Sequence, residues 1–236
     1  MLPEIMPVLS ATEPQRSELD GALPVEALVA DGVPAVSRRR ITAQVHLHSA
    51  ENVHTAIVGP EAADRAELEQ FVHRIFARAY DADVREFMPH LMSLRNAAGE
   101  LLAVCGLRHA ENTPLFLERY LPQPVEHAIS QQNNQPVQRR DIVEIGNLAV
   151  AHPETIRSLL ASISLYLHGT GTTWGVFTGI PSLRNALSKL NMRLLPLGQA
   201  SLAHLPENER AAWGRYYDEK PQVMAVKRLP SFGAAA

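Results

Sequence analysis

A single cysteine, Cys105, among 236 residues leaves no partner for an internal disulfide and excludes a zinc site built from thiolates. Aromatic residues make up only 6% of the chain and the net charge is -3, so no excess of basic groups draws it to nucleic acid or an anionic lipid surface. No apolar run approaches the roughly 18–20 residues of a membrane-spanning helix. The start, Met1-Leu2-Pro3-Glu4-Ile5, carries neither the basic opening nor the long apolar stretch of an export signal, which makes the cytoplasm the expected compartment. Neither His-Glu-x-x-His nor Gly-x-Ser-x-Gly occurs, so zinc protease and serine hydrolase chemistry find no motif.

What is present is a globular composition, 46% hydrophobic and 20% charged with a mean hydropathy of -0.10, in a chain long enough for one ample core. Residues 1–40 hold Pro3, Pro7, Pro14, Pro24 and Pro34 without periodicity and close on Arg38-Arg39-Arg40, which predicts a loosely ordered arm. Residues 41–230 are expected to form one domain and 231–236 a frayed tail.

Within that domain strand and helix patterns alternate. Val45-His46-Leu47-His48 and Thr55-Ala56-Ile57-Val58 read as short strands. Leu68, Phe71, Val72, Ile75, Phe76 and Ala79 predict an amphipathic helix from Glu61 to Tyr80. Phe87 to Arg95 and Leu101 to Arg108 form a hairpin around Asn96-Ala97-Ala98-Gly99, and a short helix surrounds Val125, Ala128 and Ile129. The strand Val143 to Val150 precedes a helix with Ile156, Leu159, Leu160, Ile163 and Leu167 on one face, stopped by Gly169. Trp174 to Thr178 is a strand, Ser182 is expected to cap the next helix, and strands Leu194 to Leu197 and Gln222 to Lys227 flank Trp213 to Asp218.

The informative stretch is Val143-Glu144-Ile145-Gly146-Asn147-Leu148-Ala149-Val150, apolar on both faces with one carboxylate inside it. Burying an ionised carboxylate costs several kcal/mol unless it is paired or used. Glu144 therefore either meets Arg95 or Arg108, or performs proton chemistry with a pKa raised by partial desolvation. His46 and His48 share a strand face, as metal ligands do, but no third ligand is placed and no metal is expected. Cys105 reads as a packing thiol, and Trp213, Tyr216 and Tyr217 as a packing cluster or lid.

This order of elements resembles the GCN5-related N-acetyltransferase fold, an α/β architecture with a mixed central sheet flanked by helices, and that of the acyl-homoserine lactone synthases. Gly99 to Arg108 is similar to the synthases' turn and arginine-ended strand, and Glu144 matches the glutamate of their Glu-x-Ser-Arg strand, with Asn147 in place of the arginine. The chain also resembles the bacterial thermostable hemolysin family. Tyr80, Phe87 to Leu91, Pro114 to Glu118, Val143 to Val150, Thr178, Leu183-Arg184-Asn185 and Trp213 to Asp218 carry that likeness.

The resemblance implies an acyltransferase that moves an acyl group from a thioester to a small amine by direct attack, with Glu144 as base and Asn147 hydrogen-bonding on the acceptor side. Leu148, Ala149 and Val150 would bind the donor through backbone N–H groups where the central strand splays, with Arg157 and Asn185 beside it. Leu187 replaces the tyrosine that commonly protonates the leaving thiolate, so that proton falls to Tyr216, Tyr217 or water. No permanently bound cofactor is implied. The donor is acyl carrier protein or acyl-coenzyme A, and His152-Pro153-Glu154-Thr155-Ile156-Arg157, lacking the glycines that wrap a pyrophosphate, favours the carrier protein. Two other readings stand beside this one, a membrane-active hemolysin and a catalytically silent binding relative of the fold.

Overall fold

Two patterns build the molecule: short strands buried in continuous runs, as in a sheet covered on both faces, and helices with one apolar stripe. The computed structural model describes residues 43–45 and 53–228. The arm over 1–40, the tail 231–236 and the pair His46 and His48 lie outside the described residues.

One eight-stranded sheet forms the centre, in the order β1-β2-β3-β4-β5-β6-β8-β7. Strands β1 (Ala43–Val45), β2 (Val53–Val58), β3 (His90–Arg95), β4 (Leu101–His109) and β5 (Ile142–Val150) pair antiparallel in succession. Strand β5 then pairs in parallel with β6 (Trp174–Gly179), and β8 (Gln222–Lys227) lies between β6 and β7 (Leu194–Gln199). Helices α1 (Arg65–Tyr80) and α2 (Val125–Asn133) cover one face of the sheet. Helices α3 (Ile156–Gly169) and α4 (Pro181–Lys189) cover the other, where Leu159, Ile163, Leu167 and Leu187 pack on Val143, Ile145 and Phe177. This is the expected mixed sheet flanked by helices.

The departures from expectation have local causes. Helix α1 begins at Arg65 and not at Glu61, because the chain first makes turns in which Ala62 N–H donates to Gly59 O and Arg65 N–H to Ala62 O. Strand β3 begins at His90 and not at Phe87, since Pro89 has no N–H for a ladder and Arg65 claims the carbonyls of Met88 (2.8 Å) and Pro89 (3.2 Å). Ser182 does not cap α4: Ile180 is the N-cap, and Pro181, with its fixed φ, opens the helix. Helix α2 runs on through Gln131, Gln132 and Asn133 and is ended by Asn134 in a left-handed conformation.

Two irregularities of β5 matter most. First, Ala103 faces Val150 and Val104 faces Ala149, but Gly106 faces Gly146, so Cys105 opposes both Asn147 and Leu148. This is a β-bulge, and Asn147 takes the left-handed φ of +45° that asparagine tolerates better than most residues. The extra residue changes the parity of the strand. Val143 and Ile145 point to the α3 face before it, Leu148 and Val150 after it, while Ala149 packs beneath α1. Second, pairing of β5 with β6 ends at Ile145 and Phe177 although both strands continue, so they splay.

Residues 200–221, joining β7 to β8, fold back over the end of α1 as a series of single turns. Asp83 N–H donates to Ala212 O (2.8 Å) and Arg215 N–H to Tyr80 O (2.7 Å). Between these bonds, Gly214 has φ +48°, and a Cβ on it would lie 2.3 Å from the Tyr80 carbonyl oxygen. Only glycine permits this approach.

Candidate active site

The splay opens into a cavity of about 770 Å³, within the usual range for a small-molecule site. Its lining comes from both sides of the sheet. Ile145, Leu148, Ile156, Phe177 and Leu183 supply the α3 and α4 side; Phe76, Tyr80, Met88, Phe116, Trp213 and Tyr216 supply the α1 side. The cavity is thus a passage at the gap between β5 and β6, mostly apolar, with few polar groups.

Glu144 is the buried acid among them, 3% exposed. It forms neither of the ion pairs considered from sequence: Arg95 bonds Glu67 and the Gly99 carbonyl, and no salt bridge joins Arg108 to Glu144, though the two are cross-strand partners. Instead the amides of Phe116 and Leu117 donate to its two oxygens, each at 2.9 Å. Burial pushes the carboxyl up from its usual pKa; the two amides and the Arg108 charge pull it down without cancelling that rise, and Glu118 adds to it.

The two amides are held in place by a second acid. Glu118 accepts from Leu115 N–H (2.8 Å) and Val125 N–H (3.0 Å), tying the start of the short helix Phe116–Tyr120 to the start of α2, and Arg139 grips it at 2.6 and 2.7 Å while also bonding Glu126. Burial works to raise the Glu118 carboxyl, but Arg139 and the two amides overcome it and bring it down to about 2. The two carboxyls are therefore driven apart, one fixed as an anion and the other shifted toward neutrality.

Asn147 lines the cavity, but its amide is engaged with the segment before β3: Oδ1 accepts from Met88 N–H (2.9 Å) and Nδ2 donates to Glu86 O (3.3 Å). With Arg65 on its carbonyl, Met88 is held from two sides, and its side chain lies over Gly106 and Gly146. A Cβ on Gly146 would come within 2.4 Å of Met88 Cε, and one on Gly106 within 2.7 Å of Met88 Cβ. The facing glycines make room for methionine in the cavity wall.

Leu148 and Val150 line the cavity, whereas Ala149 does not and is 1% exposed beneath α1. The backbone explains the difference. Ala151 N–H donates to Leu102 O on β4 (2.8 Å), so by strand alternation Ala149 also faces β4, and Leu148 and Val150 direct theirs into the splay. Tyr216 lines the cavity with its hydroxyl donating to Thr178 O (3.3 Å), and burial, then Tyr217 and Tyr80, raise its pKa so that it stays protonated. The Tyr217 hydroxyl lies 2.5 Å from that of Tyr120. Arg157 and Asn185 are exposed and outside the cavity lining. Cys105 is fully buried, its thiol pushed up to about 12 by desolvation.

Sequence reasoning did not identify Phe116, Leu117, Glu118 and Arg139 as a unit. The available signal was Glu118 three residues after Leu115, the spacing of an acid that reaches back to a helix start. Among the described residues no group of three or more acids, histidines or cysteines could hold a metal, and no helix is long and apolar enough to cross a membrane.

Comparison with known proteins agrees with this architecture. The family model described as thermostable hemolysin matches residues 58–232. The chain is similar to TofI in its apo form, with 15% identity and a TM-score of 0.52 over 73% of this chain and 90% of TofI. It is also similar to the AHL synthase LasI, with 10% identity and a TM-score of 0.50 over 76% of this chain and 91% of that one. FeeM, an N-acyl amino acid synthase from uncultured soil microbes, is 16% identical over 75% of this chain and 90% of its own, with a TM-score of 0.47. No curated protein matches. At these identities the likeness to TofI and LasI shows the fold alone.

Proposed function

The chain belongs to the thermostable hemolysin family, and on that footing we propose that it is an acyltransferase which moves an acyl group from a thioester to an amine within the cavity at the splay. The observation that carries the reading is Glu144: a carboxyl buried in the wall of an apolar passage, oriented by two amides, with a raised pKa and no ion pair to neutralise it.

In this reading the amine attacks the thioester carbonyl while Glu144 takes the ammonium proton, directly or through water. The N–H groups of Leu148 and Val150, directed into the gap, bind the donor: one meets the carbonyl oxygen as it gains charge, and the other the arm that carries the thioester. The C–N bond forms, the C–S bond breaks, and the thiolate takes a proton from water, since burial and the bond to Thr178 O make the Tyr216 hydroxyl a poor donor. Asn147 acts as a positioning residue that fixes Met88 in the wall. The apolar lining suits a fatty acyl chain.

The turn at His152 to Thr155, with Pro153 and Glu154 where a pyrophosphate-wrapping loop would carry glycine, supports acyl carrier protein over coenzyme A as the donor. An amide of a long acyl chain is itself an amphiphile, which accounts for a family name that records lysis of red cells. The test is thiol release from matched acyl-coenzyme A and acyl-carrier-protein donors with a pool of amines, comparing wild type with Glu144→Gln. Release that depends on Glu144 is expected; no release from any donor, or lysis by purified protein free of small molecules, would overturn the assignment.

A further inference from the structure

Resting on that acyl-transfer reading, we infer that the acceptor is an α-amino acid or a closely related zwitterion, its carboxylate bound by Arg108 while its amine faces Glu144. Arg108 and Glu144 are direct cross-strand partners on β4 and β5, so their side chains leave the same face of the sheet. Both line the cavity. Two opposite charges at such a spacing ordinarily close on each other, and here they do not, because the amides of Phe116 and Leu117 hold the carboxylate.

Arg108 is consequently left half-buried in an apolar passage, and among the described residues no hydrogen bond or salt bridge engages its guanidinium. A planar fork of donors without a partner in such a place suits a carboxylate, which it can bind through two parallel hydrogen bonds. The other charged groups in the lining, Arg78 and Glu86, are exposed and stand at its rim. The next cross-strand pair along the same face is Gly106 with Gly146, which adds no side chain of its own beside the two charges. Cβ atoms of facing residues lie about 5 Å apart, so an α-amino acid, with ammonium and carboxylate on one carbon, can meet both side chains at once. A simple amine would leave Arg108 unsatisfied.

The experiment pairs L-alanine, L-leucine and L-phenylalanine with the corresponding amines lacking the carboxylate, and measures turnover for wild type, Arg108→Gln, Arg108→Lys and Glu144→Gln. Wild type is expected to favour the amino acids in kcat/KM by about 30-fold or more, the effect of pairing one desolvated charge. Arg108→Gln should raise KM for the amino acids by a similar factor and be partly rescued by Arg108→Lys; losing the charge beside Glu144 changes kcat for both acceptor classes alike, so the readout is the extra loss confined to the amino acids. Equal use of both acceptor classes by wild type, or an equal loss for both in Arg108→Gln, would overturn the assignment of Arg108. Failure of the base reading looks different, since it concerns whether Glu144→Gln slows both classes together. Calorimetric titration of the same amino acids into each protein supplies a readout without turnover: heat that survives Glu144→Gln but not Arg108→Gln supports the site, and no heat with wild type refutes it.

Discussion

Replacing Glu144 with glutamine removes a charge but nearly preserves shape, and the structure states what it should cost. The two carboxylate oxygens each accept one amide, from Phe116 and Leu117. Glutamine offers one oxygen, so its own NH₂ must face the second amide, and a buried donor left unsatisfied costs about 1–3 kcal/mol. Removing an ionised group from a desolvated site offsets part of this, which leaves a net loss of about 1–2 kcal/mol at neutral pH. For a domain of this size that is about 2–8 °C in Tm. The pH dependence is the sharper test. A carboxyl whose pKa is raised on folding contributes stability that is fully present below its unfolded value, about 4.3, and is lost as pH rises through the folded value. Glutamine has no such dependence. Urea melts of both proteins should therefore show the wild-type advantage largest near about pH 4 and shrinking toward about pH 9. A gap that stays constant or widens with rising pH would mean that the fold favours the anion at Glu144, and the case for a general base would fail.

Three further outcomes follow from the same geometry. Arg139→Met should destabilise the domain by about 1–3 kcal/mol near neutral pH; because the Glu118 carboxyl is lowered to about 2, the stability it contributes is present above the ordinary carboxylate range and fades as pH falls toward that value, so the mutant should differ less from wild type in acid melts. Gly214→Ala should cost at least about 2 kcal/mol from its left-handed φ and the clash with Tyr80 O, and release of the 200–221 connection should shift Trp213 fluorescence; an unchanged spectrum and Tm would contradict the docking. Native protein should leave Cys105 unmodified by thiol reagents at neutral pH and give one reactive thiol per chain in denaturant.

Much of the framework was legible because it rests on periodicity. The stripe from Leu68 to Ala79 and the apolar run of β5 are local patterns that burial enforces, so the helix and the central strand fall where the pattern says. The carboxylate of Glu144 stood out for the same reason, as a polar group in an apolar setting. What holds it did not. Phe116 and Leu117 act through backbone N–H groups, which every residue but proline possesses, so no side-chain type marks them. The bulge at Asn147 was equally hidden, since one added residue changes the direction of Ala149 without changing its composition. Reading Leu148, Ala149 and Val150 as one backbone site passed over the alternation that turns the middle residue away. Pairing of Glu144 with Arg95 or Arg108 was suggested by charge alone, and depended on distances that the sequence does not encode.

The connection over residues 200–221 joins two antiparallel neighbours, β7 and β8, which a hairpin turn of two to five residues could join as well. The sheet does not need it. Its excess length gives the cavity Trp213, Tyr216 and Tyr217, while Glu144 and the splay belong to strands elsewhere. Outside Trp213 to Asp218, this segment can therefore lengthen or shorten and reshape one wall of the passage while the strands that carry Glu144 and the splay stay as they are.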